Sequence, residues 1–233
     1  MPTNLTNTST YSSSGSAKTQ YNASIPSTAL STSTHTNQDA TMVYPTADSN
    51  YSISTVTIPP GSIFHPGAHW HEEYDEYLSV VKGRLRILLG KTWRVYTPED
   101  GEVHVKRGVV HDLMRADIVD EEKDEEDVVV QERSDPSDGS KDLFFRHLFA
   151  ITSIDKDRFG WKVPLQVLFT FAYTDTYMSL VPGPAGWYVT HALWSVVKGV
   201  APWLGLRPLY EAYTPERLKG VMKSILDGSV KSD

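Results

Sequence analysis

The sequence has 233 residues, a formal net charge of −7 and a pI near 5.6. This acidic balance, with no cluster of Lys and Arg, argues against a nucleic-acid partner, because phosphate backbones are bound through grouped basic side chains. Cysteine is absent, which excludes disulfides, thiolate catalysis and Cys-ligated metal sites. A metal ion in this protein must therefore be held by His and carboxylate side chains.

The first 40 residues are rich in Ser, Thr and Asn and poor in apolar side chains. Such a segment cannot bury enough apolar surface to offset the entropy of ordering, so residues 1–40 are predicted to form a disordered tail. The beginning of the chain has no basic segment followed by an apolar run, which predicts a cytoplasmic protein without a signal peptide. A mitochondrial transit peptide is the alternative, although the first basic residue is Lys18.

Short apolar runs that end at Gly or Pro turns follow from residue 51. They are YSISTVTI, YLSVV, RLRILL, TWRVYT and EVHVK. Strands of this length and spacing predict a β-sandwich or a small β-barrel rather than a βαβ sheet. We place this barrel at residues 41–155, with an acidic excursion at residues 117–127 that is predicted to be a solvated loop. Calcium binding by the excursion is an alternative, but the run lacks the Gly and the oxygen spacing of an EF-hand loop.

Residues 156–233 differ in composition, since their apolar runs are longer and aromatic. They predict a helical C-terminal extension that packs on the barrel or on a partner subunit, with a final helix that begins near Pro215. Pro and Gly residues interrupt the apolar length that a membrane-spanning helix needs, which leaves peripheral contact with a membrane surface as an alternative. The apolar surface of this extension favours a homodimer.

The stretch HWHEEYDEY combines two histidines with four acidic residues and is the strongest chemical signal. On a strand, His69 and His71 project to the same face. Glu76 joins that face only if the residues between form a turn that resets the register, and it then lies in phase with Leu78. A carboxylate in line with buried apolar residues is costly unless it is paired or bound to a metal. This stretch therefore predicts part of a metal site.

A third histidine, His111, follows a second predicted hairpin. Three neutral imidazoles and one carboxylate suit iron, manganese, nickel, cobalt or zinc, and favour none of them decisively. Asp75 is an alternative carboxylate ligand, but Glu76 is preferred for its phase with the following apolar run. Three further histidines are predicted to be surface or packing residues: His65, His104 and His147.

The run HWHEEYDEYLSVVKG resembles the first cupin motif, in which H-x-H is followed by a Glu and then by a Gly. The motif positions are occupied by His69, His71, Glu76 and Gly83. RGVVH resembles the core of the second cupin motif, Gly-x-x-His, with Gly108 and His111 in register. The resemblance covers residues 50–150 and implies a mainly β fold, the double-stranded β-helix or jelly-roll barrel, with a divalent metal ion held inside.

Some positions depart from the cupin pattern. In the second motif, Lys106 and Arg115 stand where Pro and Asn are usual, and Ile63 replaces a Gly before the first motif. Arg115 lies four residues after His111 on the same predicted strand, so its guanidinium is expected to face the metal and to orient a substrate carboxylate or enolate. A salt bridge at the barrel mouth is the alternative. The departures leave the metal ligands unchanged.

The cupin resemblance implies one of two kinds of chemistry at an open metal site. The first is a non-haem iron dioxygenase or oxidase; the second is a redox-neutral isomerase, dehydratase or decarboxylase. The chain also loosely resembles small fungal cupin-domain proteins of secondary metabolism. We therefore expect a metal-dependent oxidoreductase of a small phenolic or polyketide-like substrate, with Fe²⁺ favoured over Mn²⁺, Ni²⁺ and Zn²⁺. A redox-neutral enzyme and a non-catalytic, small-molecule-binding cupin are the alternatives.

Overall fold

The protein is described by a computed structural model that covers residues 39–120 and 123–228, together with the backbone of 34–36. Most of the predicted tail lies outside the described residues. Its last part belongs to a sheet, because Thr34–Thr36 pairs with Thr41–Val43 and Ala40 is buried.

Eleven strands of the described residues form two antiparallel sheets around one apolar core, which confirms the predicted mainly β barrel. The strands are β1 (Thr34–Thr36), β2 (Thr41–Val43), β3 (Ser54–Ile58), β4 (His69–Trp70), β5 (Asp75–Lys82), β6 (Leu85–Leu89), β7 (Thr92–Tyr96), β8 (Glu102–Val105), β9 (His111–Arg115), β10 (Val128–Asp135) and β11 (Tyr177–Met178). One sheet has the order β1-β2-β3-β10-β5-β8, and the other has the order β11-β4-β9-β6-β7.

The two long strands at the centre of the larger sheet, β5 and β10, bury alternate residues. This alternation is expected when one face of an antiparallel sheet lies against the core. Gly83 ends β5 with a positive φ of 79°, and a Cβ there would meet the Asp127 carbonyl at 3.0 Å. The turn therefore requires the Gly that the first cupin motif carries.

Five α-helices of the described residues follow the last long strand. They are α1 (Ser140–Phe149), α2 (Lys156–Phe159), α3 (Val163–Phe171), α4 (Pro184–Val200) and α5 (Lys219–Leu226). Helix α1 begins inside the predicted barrel range of 41–155, and its Phe149 is part of the barrel core. Conversely, β11 lies beyond that range and pairs with β4. The barrel and the helical extension thus share elements across the predicted boundary.

The described residues of the acidic excursion are exposed or half-buried, as a solvated loop should be, with one exception. Asp117 is buried and forms an ion pair with Arg115, with 2.8 Å between Oδ1 and Nε. Arg84 forms two further ion pairs, with Asp120 at 3.3 Å and with Asp124 at 3.1 Å. Three of its acidic side chains, Asp117, Asp120 and Asp124, therefore tie the excursion to Arg84 and Arg115.

Among the described residues, no helix combines the length and the apolar character needed to cross a bilayer. The homodimer, the peripheral membrane contact and the cytoplasmic location stay predictions.

Candidate metal centre

Four buried side chains from three neighbouring strand regions converge inside the barrel. They are His69, His71, Glu76 and His111, and their ligand atoms all lie within 4.8 Å of one another. Strand pairing explains the convergence, because His69 and His111 are direct partners between β4 and β9. The backbone N–H of Gly108 donates to the His71 carbonyl at 2.6 Å, which ties the second motif to the first.

The polar residues after His71 form the turn that the sequence required. Strand β4 ends at Trp70 and β5 begins at Asp75. Glu76 then points inward and is 2% exposed, whereas the Asp75 carboxylate contacts His104 Nε2 at 2.7 Å on the outer side. Of the two candidate carboxylates, the structure therefore brings Glu76 to the three imidazoles.

Backbone carbonyls hold the three imidazole rings in place. Nδ1 of His69 lies 2.7 Å from the carbonyl oxygen of Gly67, and Nδ1 of His111 lies 3.1 Å from that of Val109. Nδ1 of His71 lies 2.6 Å from the carbonyl oxygen of Asp175. A ring that donates through Nδ1 presents the lone pair of Nε2, which is the form that binds a metal ion.

Burial tunes the protonation of this cluster. It holds the pKa of His69 well below its usual range and lowers the pKa of His71 to about 4, so both rings are neutral near pH 7. Burial lowers the pKa of His111 and the nearby Glu76 carboxylate raises it, with a net upward shift. Burial alone would raise the pKa of Glu76, but Lys141 and His111 lower it by more. The resulting pKa is well below the usual value, so Glu76 is ionised. Metal ions bind neutral imidazoles and carboxylates, so a metal would compete with the proton that Glu76 favours on His111.

One atom of the cluster supports the binding of a cation. Nε2 of His111 is buried without a hydrogen-bond partner among the described residues, and the nearest Glu76 oxygen is 3.6 Å away. A buried nitrogen without a partner is rare because desolvating it costs free energy that is not recovered. A metal ion bound to this lone pair would remove that cost. The cluster could therefore hold a divalent metal.

A pair of charged residues, Lys141 and Glu132, lies beside the four candidate ligands. Nζ of Lys141 is 2.8 Å from Glu76 Oε2, 2.9 Å from Glu132 Oε1 and 3.2 Å from His71 Nε2. Burial and the neighbouring Glu76 raise the pKa of Glu132 to about 7. Burial lowers the pKa of Lys141, but the two carboxylates raise it more, so Lys141 is a buried cation.

The cluster opens into an apolar cavity of about 260 Å³. His69 and Glu76 line it from the barrel, and Lys141 and Glu132 lie at its polar end. The walls are mainly apolar residues of the barrel and of helices α1 and α3: Met42, Val56, Phe64, Leu113, Phe144, Phe145, Leu148, Phe149, Phe171 and Met178. Small-molecule sites typically combine such walls with a few polar groups that fix orientation.

Arg115 does not take the predicted place near the metal cluster. It is fully buried, and its guanidinium donates to Asp117 and to the carbonyls of Ile58, Glu126 and Asp124. The parity argument identified the correct face of β9, but four residues along a strand separate two positions by about 13 Å. Arg115 therefore stands at the other end of β9 and forms the ion pair that was the alternative.

The three histidines predicted as non-ligands lie outside the cluster. His65 is about half exposed at the cavity rim, with Nδ1 3.4 Å from Asp112 Oδ2. His104 forms its ion pair on the outer face of the larger sheet. His147 is buried in the helical part, where Nδ1 lies 2.8 Å from the Leu143 carbonyl and Nε2 accepts from Tyr210 N–H.

Sequence reasoning missed Glu132, Lys141 and Asp175. Glu132 lies on the same face of β10 as the buried residues Val128 and Val130. The same kind of signal identified Glu76. Lys141 lies on the face of α1 that carries aromatic residues three and four positions later, so helical periodicity would have placed it in the cavity. Asp175, in contrast, carries no sequence signal, because it reaches His71 through a tertiary contact.

A scan against protein-family models found no match, and a search of curated proteins found none. Solved structures that match include the capsular polysaccharide assembling protein CapF from Staphylococcus aureus, with 17% identity and a TM-score of 0.33 over 43% of this chain and 27% of that chain. Lactobacillus farciminis oxalate decarboxylase matches with 14% identity and a TM-score of 0.33 over 43% of this chain and 30% of that chain. An oxalate oxidase matches with 15% identity and a TM-score of 0.32 over 42% of this chain and 52% of that chain.

The chain spans less than a third of the first two matched structures. Similarity at this level says nothing about the reaction of this chain. The fold is recognised from the chain's own two sheets and from the four side chains that meet inside them. The protein is a β-barrel of two antiparallel sheets whose sequence motifs resemble those of cupins, with a buried His–His–Glu–His cluster that could hold a metal.

Proposed function

We propose that the protein is a metal-dependent cupin oxidoreductase of the non-haem iron dioxygenase or oxidase type. Its substrate is a small oxygenated organic molecule, of the kind made in polyketide-like secondary metabolism. The observation that carries the proposal is that two of the four clustered candidate ligands, His69 and Glu76, line an apolar cavity. A purely structural metal would not need access to such a cavity.

Three neutral imidazoles and one carboxylate would hold the metal through His69, His71, His111 and Glu76. This ligand set suits Fe²⁺, with Mn²⁺, Ni²⁺ and Zn²⁺ as alternatives. When bound, iron would supply a redox-active Lewis acid that can bind substrate and dioxygen side by side.

The chain's own residues determine what else happens in the cavity. Its aromatic and aliphatic walls bind the carbon skeleton of the substrate and exclude water. The carbonyls of Gly67, Val109 and Asp175 contact Nδ1 of the three imidazole rings, which leaves the Nε2 atoms as the nitrogens that would bind the metal. Lys141 offers a cation to an oxygen atom of the substrate.

A redox-neutral isomerase, dehydratase or decarboxylase is the second candidate, and one observation favours it. Glu132 and Lys141 place a carboxylate and an ammonium next to the proposed metal. Such a pair can move a proton to or from a substrate without a change in oxidation state. A small-molecule-binding cupin without catalysis is the remaining alternative.

Metal analysis and dioxygen consumption separate these candidates. Purified protein, loaded under anaerobic conditions with Fe²⁺, is expected to retain about one ion per chain after desalting. It is then expected to consume dioxygen with at least one member of a panel of phenols, enols and β-diketones. Buffer containing the same Fe²⁺ without protein corrects for uncatalysed oxidation.

Each contrary result selects a different candidate. Product formation without dioxygen uptake, and with Zn²⁺ or Mn²⁺ as well as with Fe²⁺, would replace the oxidoreductase by the redox-neutral enzyme. Saturable binding of panel members without turnover would indicate the binding protein. Failure to retain any of the four metals above the trace level would contradict both enzymatic proposals.

A further inference from the structure

Glu132 and Lys141 are buried charges that the proposed metal ligation does not use. Glu132 alternates inward on β10, and Lys141 projects from the first turn of α1, so two different elements bring them together. Both are 8% exposed, and both line the apolar cavity. Buried charges cost free energy unless they are paired and fully hydrogen-bonded. Any hydrogen bond that this pair does not make within the protein is therefore available to a ligand.

Glu132 has an oxygen atom that lacks a hydrogen-bond donor. Its Oε1 lies 2.9 Å from Lys141 Nζ, but this contact lacks hydrogen-bond geometry, and Oε1 is buried without a partner among the described residues. A buried acceptor of this kind is satisfied by a donor that comes from the cavity. An O–H group is such a donor, and its oxygen can at the same time accept from the ammonium of Lys141.

The cavity limits the molecule that could carry this O–H group. Its volume of about 260 Å³ exceeds the roughly 150 Å³ of an engineered apolar cavity that binds benzene. One ring with small substituents would therefore fit. The rings of Phe144, Phe145 and Phe171 on the walls favour a flat, conjugated skeleton.

We propose that Glu132 and Lys141 bind the acidic hydroxyl of a one-ring phenol or a similarly sized cyclic enol. The hydroxyl donates to Glu132 Oε1, and its O–H bond breaks as Glu132 takes the proton. The electron pair stays on the substrate oxygen, which becomes an oxyanion paired with the Lys141 ammonium, while Glu132 becomes neutral. No electron is gained or lost in this step, and the net charge of the substrate and the two residues does not change.

This inference rests on the proposed function only in sharing its cavity, since it names the substrate class of that site. Charge supports it. With a divalent metal, three neutral imidazoles, two carboxylates and one ammonium, the buried cluster would carry one net positive charge. That net positive charge would stabilise a substrate oxyanion beside Lys141 once Glu132 has taken the proton, and the total charge of cluster and substrate would stay the same.

The test uses para-nitrophenol, whose visible absorption distinguishes the phenol from the phenolate. Binding is measured in the metal-free and in the Zn²⁺-loaded protein, with para-nitroanisole as the matched ether that has no proton to donate. We expect the phenol to bind at least tenfold more tightly than the ether. We also expect the bound probe to show the absorption band of the phenolate at a pH where the free phenol is mainly protonated. Equal affinity for phenol and ether in both forms of the protein would overturn the proposal, and this comparison requires no variant.

Variants assign the roles of the two residues. Glu132→Gln keeps an acceptor but cannot take a proton, so the bound probe should lose its phenolate band. Lys141→Met should weaken probe binding at least tenfold. The double variant, Glu132→Gln with Lys141→Met, removes one negative and one positive charge and so keeps the buried charge balanced. It should bind phenol and ether with the same affinity. Lys82→Met removes an exposed lysine that pairs with Glu126 and serves as the control.

The outcomes separate this inference from the proposed function. Unchanged phenolate binding in Lys141→Met or in the double variant would overturn the inference even if the protein retains a metal and consumes dioxygen. Phenolate binding in the metal-free protein would support it even if metal retention fails, because no metal takes part in that measurement.

Discussion

The backbone carbonyl of Asp175 lies 2.6 Å from Nδ1 of His71, which precedes it by 104 residues. The Asp175 carboxylate also accepts the backbone N–H groups of Glu72 and Glu73, at 2.9 to 3.1 Å. Asp175 itself has a positive φ of 48°, which an Asp or Asn tolerates better than most residues. One residue of the helical extension thus holds both an imidazole of the cluster and the turn that follows it.

Replacement of Asp175 should therefore weaken metal binding without touching a ligand. Asp175→Val removes both side-chain contacts and puts a β-branched residue at a positive φ, so we expect metal affinity to fall by about 10- to 100-fold. Asp175→Asn keeps the backbone preference and one acceptor oxygen, and the loss should be smaller. Competition with a chromophoric chelator for Co²⁺ measures both affinities. Equal metal affinities in the wild type and in Asp175→Val would show that the Asp175 side chain is not needed to position His71.

Glu76 and Asp75 provide a matched pair of carboxylates for testing the ligand assignment. Glu76→Gln should reduce bound metal by about tenfold or more, because it removes the one charged ligand. Asp75→Asn should bind metal as the wild type does, since Asp75 contacts His104 and Arg107 on the outer face. Metal content per chain after desalting distinguishes the two variants, and the opposite order of effects would reassign the carboxylate ligand.

Arg115 should affect stability and not substrate binding. Arg115→Met leaves Asp117 buried without its partner, which should lower the free energy of unfolding by about 3 kcal/mol. In the folded protein, metal content and the KM for a panel substrate should stay unchanged. Urea unfolding measures the first effect, and Arg115→Met combined with Asp117→Asn should recover part of the loss. A variant of normal stability with a sharply raised KM would restore the substrate role.

His147 should make the protein sensitive to mild acid. Burial lowers the pKa of His147 to about 4 from 6.5, so the unfolded chain takes up a proton at a pH where the folded protein does not. The contribution of His147 to stability is therefore complete above pH 6.5 and is lost as the pH falls toward 4, by about 3 kcal/mol in full. Urea unfolding from pH 7 to pH 4 should show a weaker pH dependence in His147→Gln than in the wild type. Parallel pH profiles would exclude His147 as a source of the acid sensitivity.

Strand parity predicted the centre of the candidate site. His69 and His71 project together, and Glu76 faces inward because it shares a face of β5 with Leu78. These inferences succeeded because side-chain direction along a strand depends only on local geometry. The same local tests, applied to Glu132 and to Lys141, would also have indicated the buried pair.

The parts that failed depend on tertiary distances. Arg115 was assigned to the correct face of β9 but to the wrong end, since parity says nothing about depth along the barrel. Asp175 and β11 could not be predicted, because a two-residue strand and one backbone carbonyl leave no pattern in the sequence. The acidic excursion is largely exposed, as its composition predicts, but composition could not show that its first residue, Asp117, is buried and paired with Arg115.

Strand β11 pairs with β4, and Asp175 just before it holds His71. A fragment that stops at residue 155 would contain all four candidate ligands and every strand of the larger sheet. It would still lack β11, one of the two strands that flank β4, and the acceptor for one imidazole. Efforts to isolate a minimal domain, or to graft the ligands onto a shorter barrel, should therefore keep the chain at least to Met178.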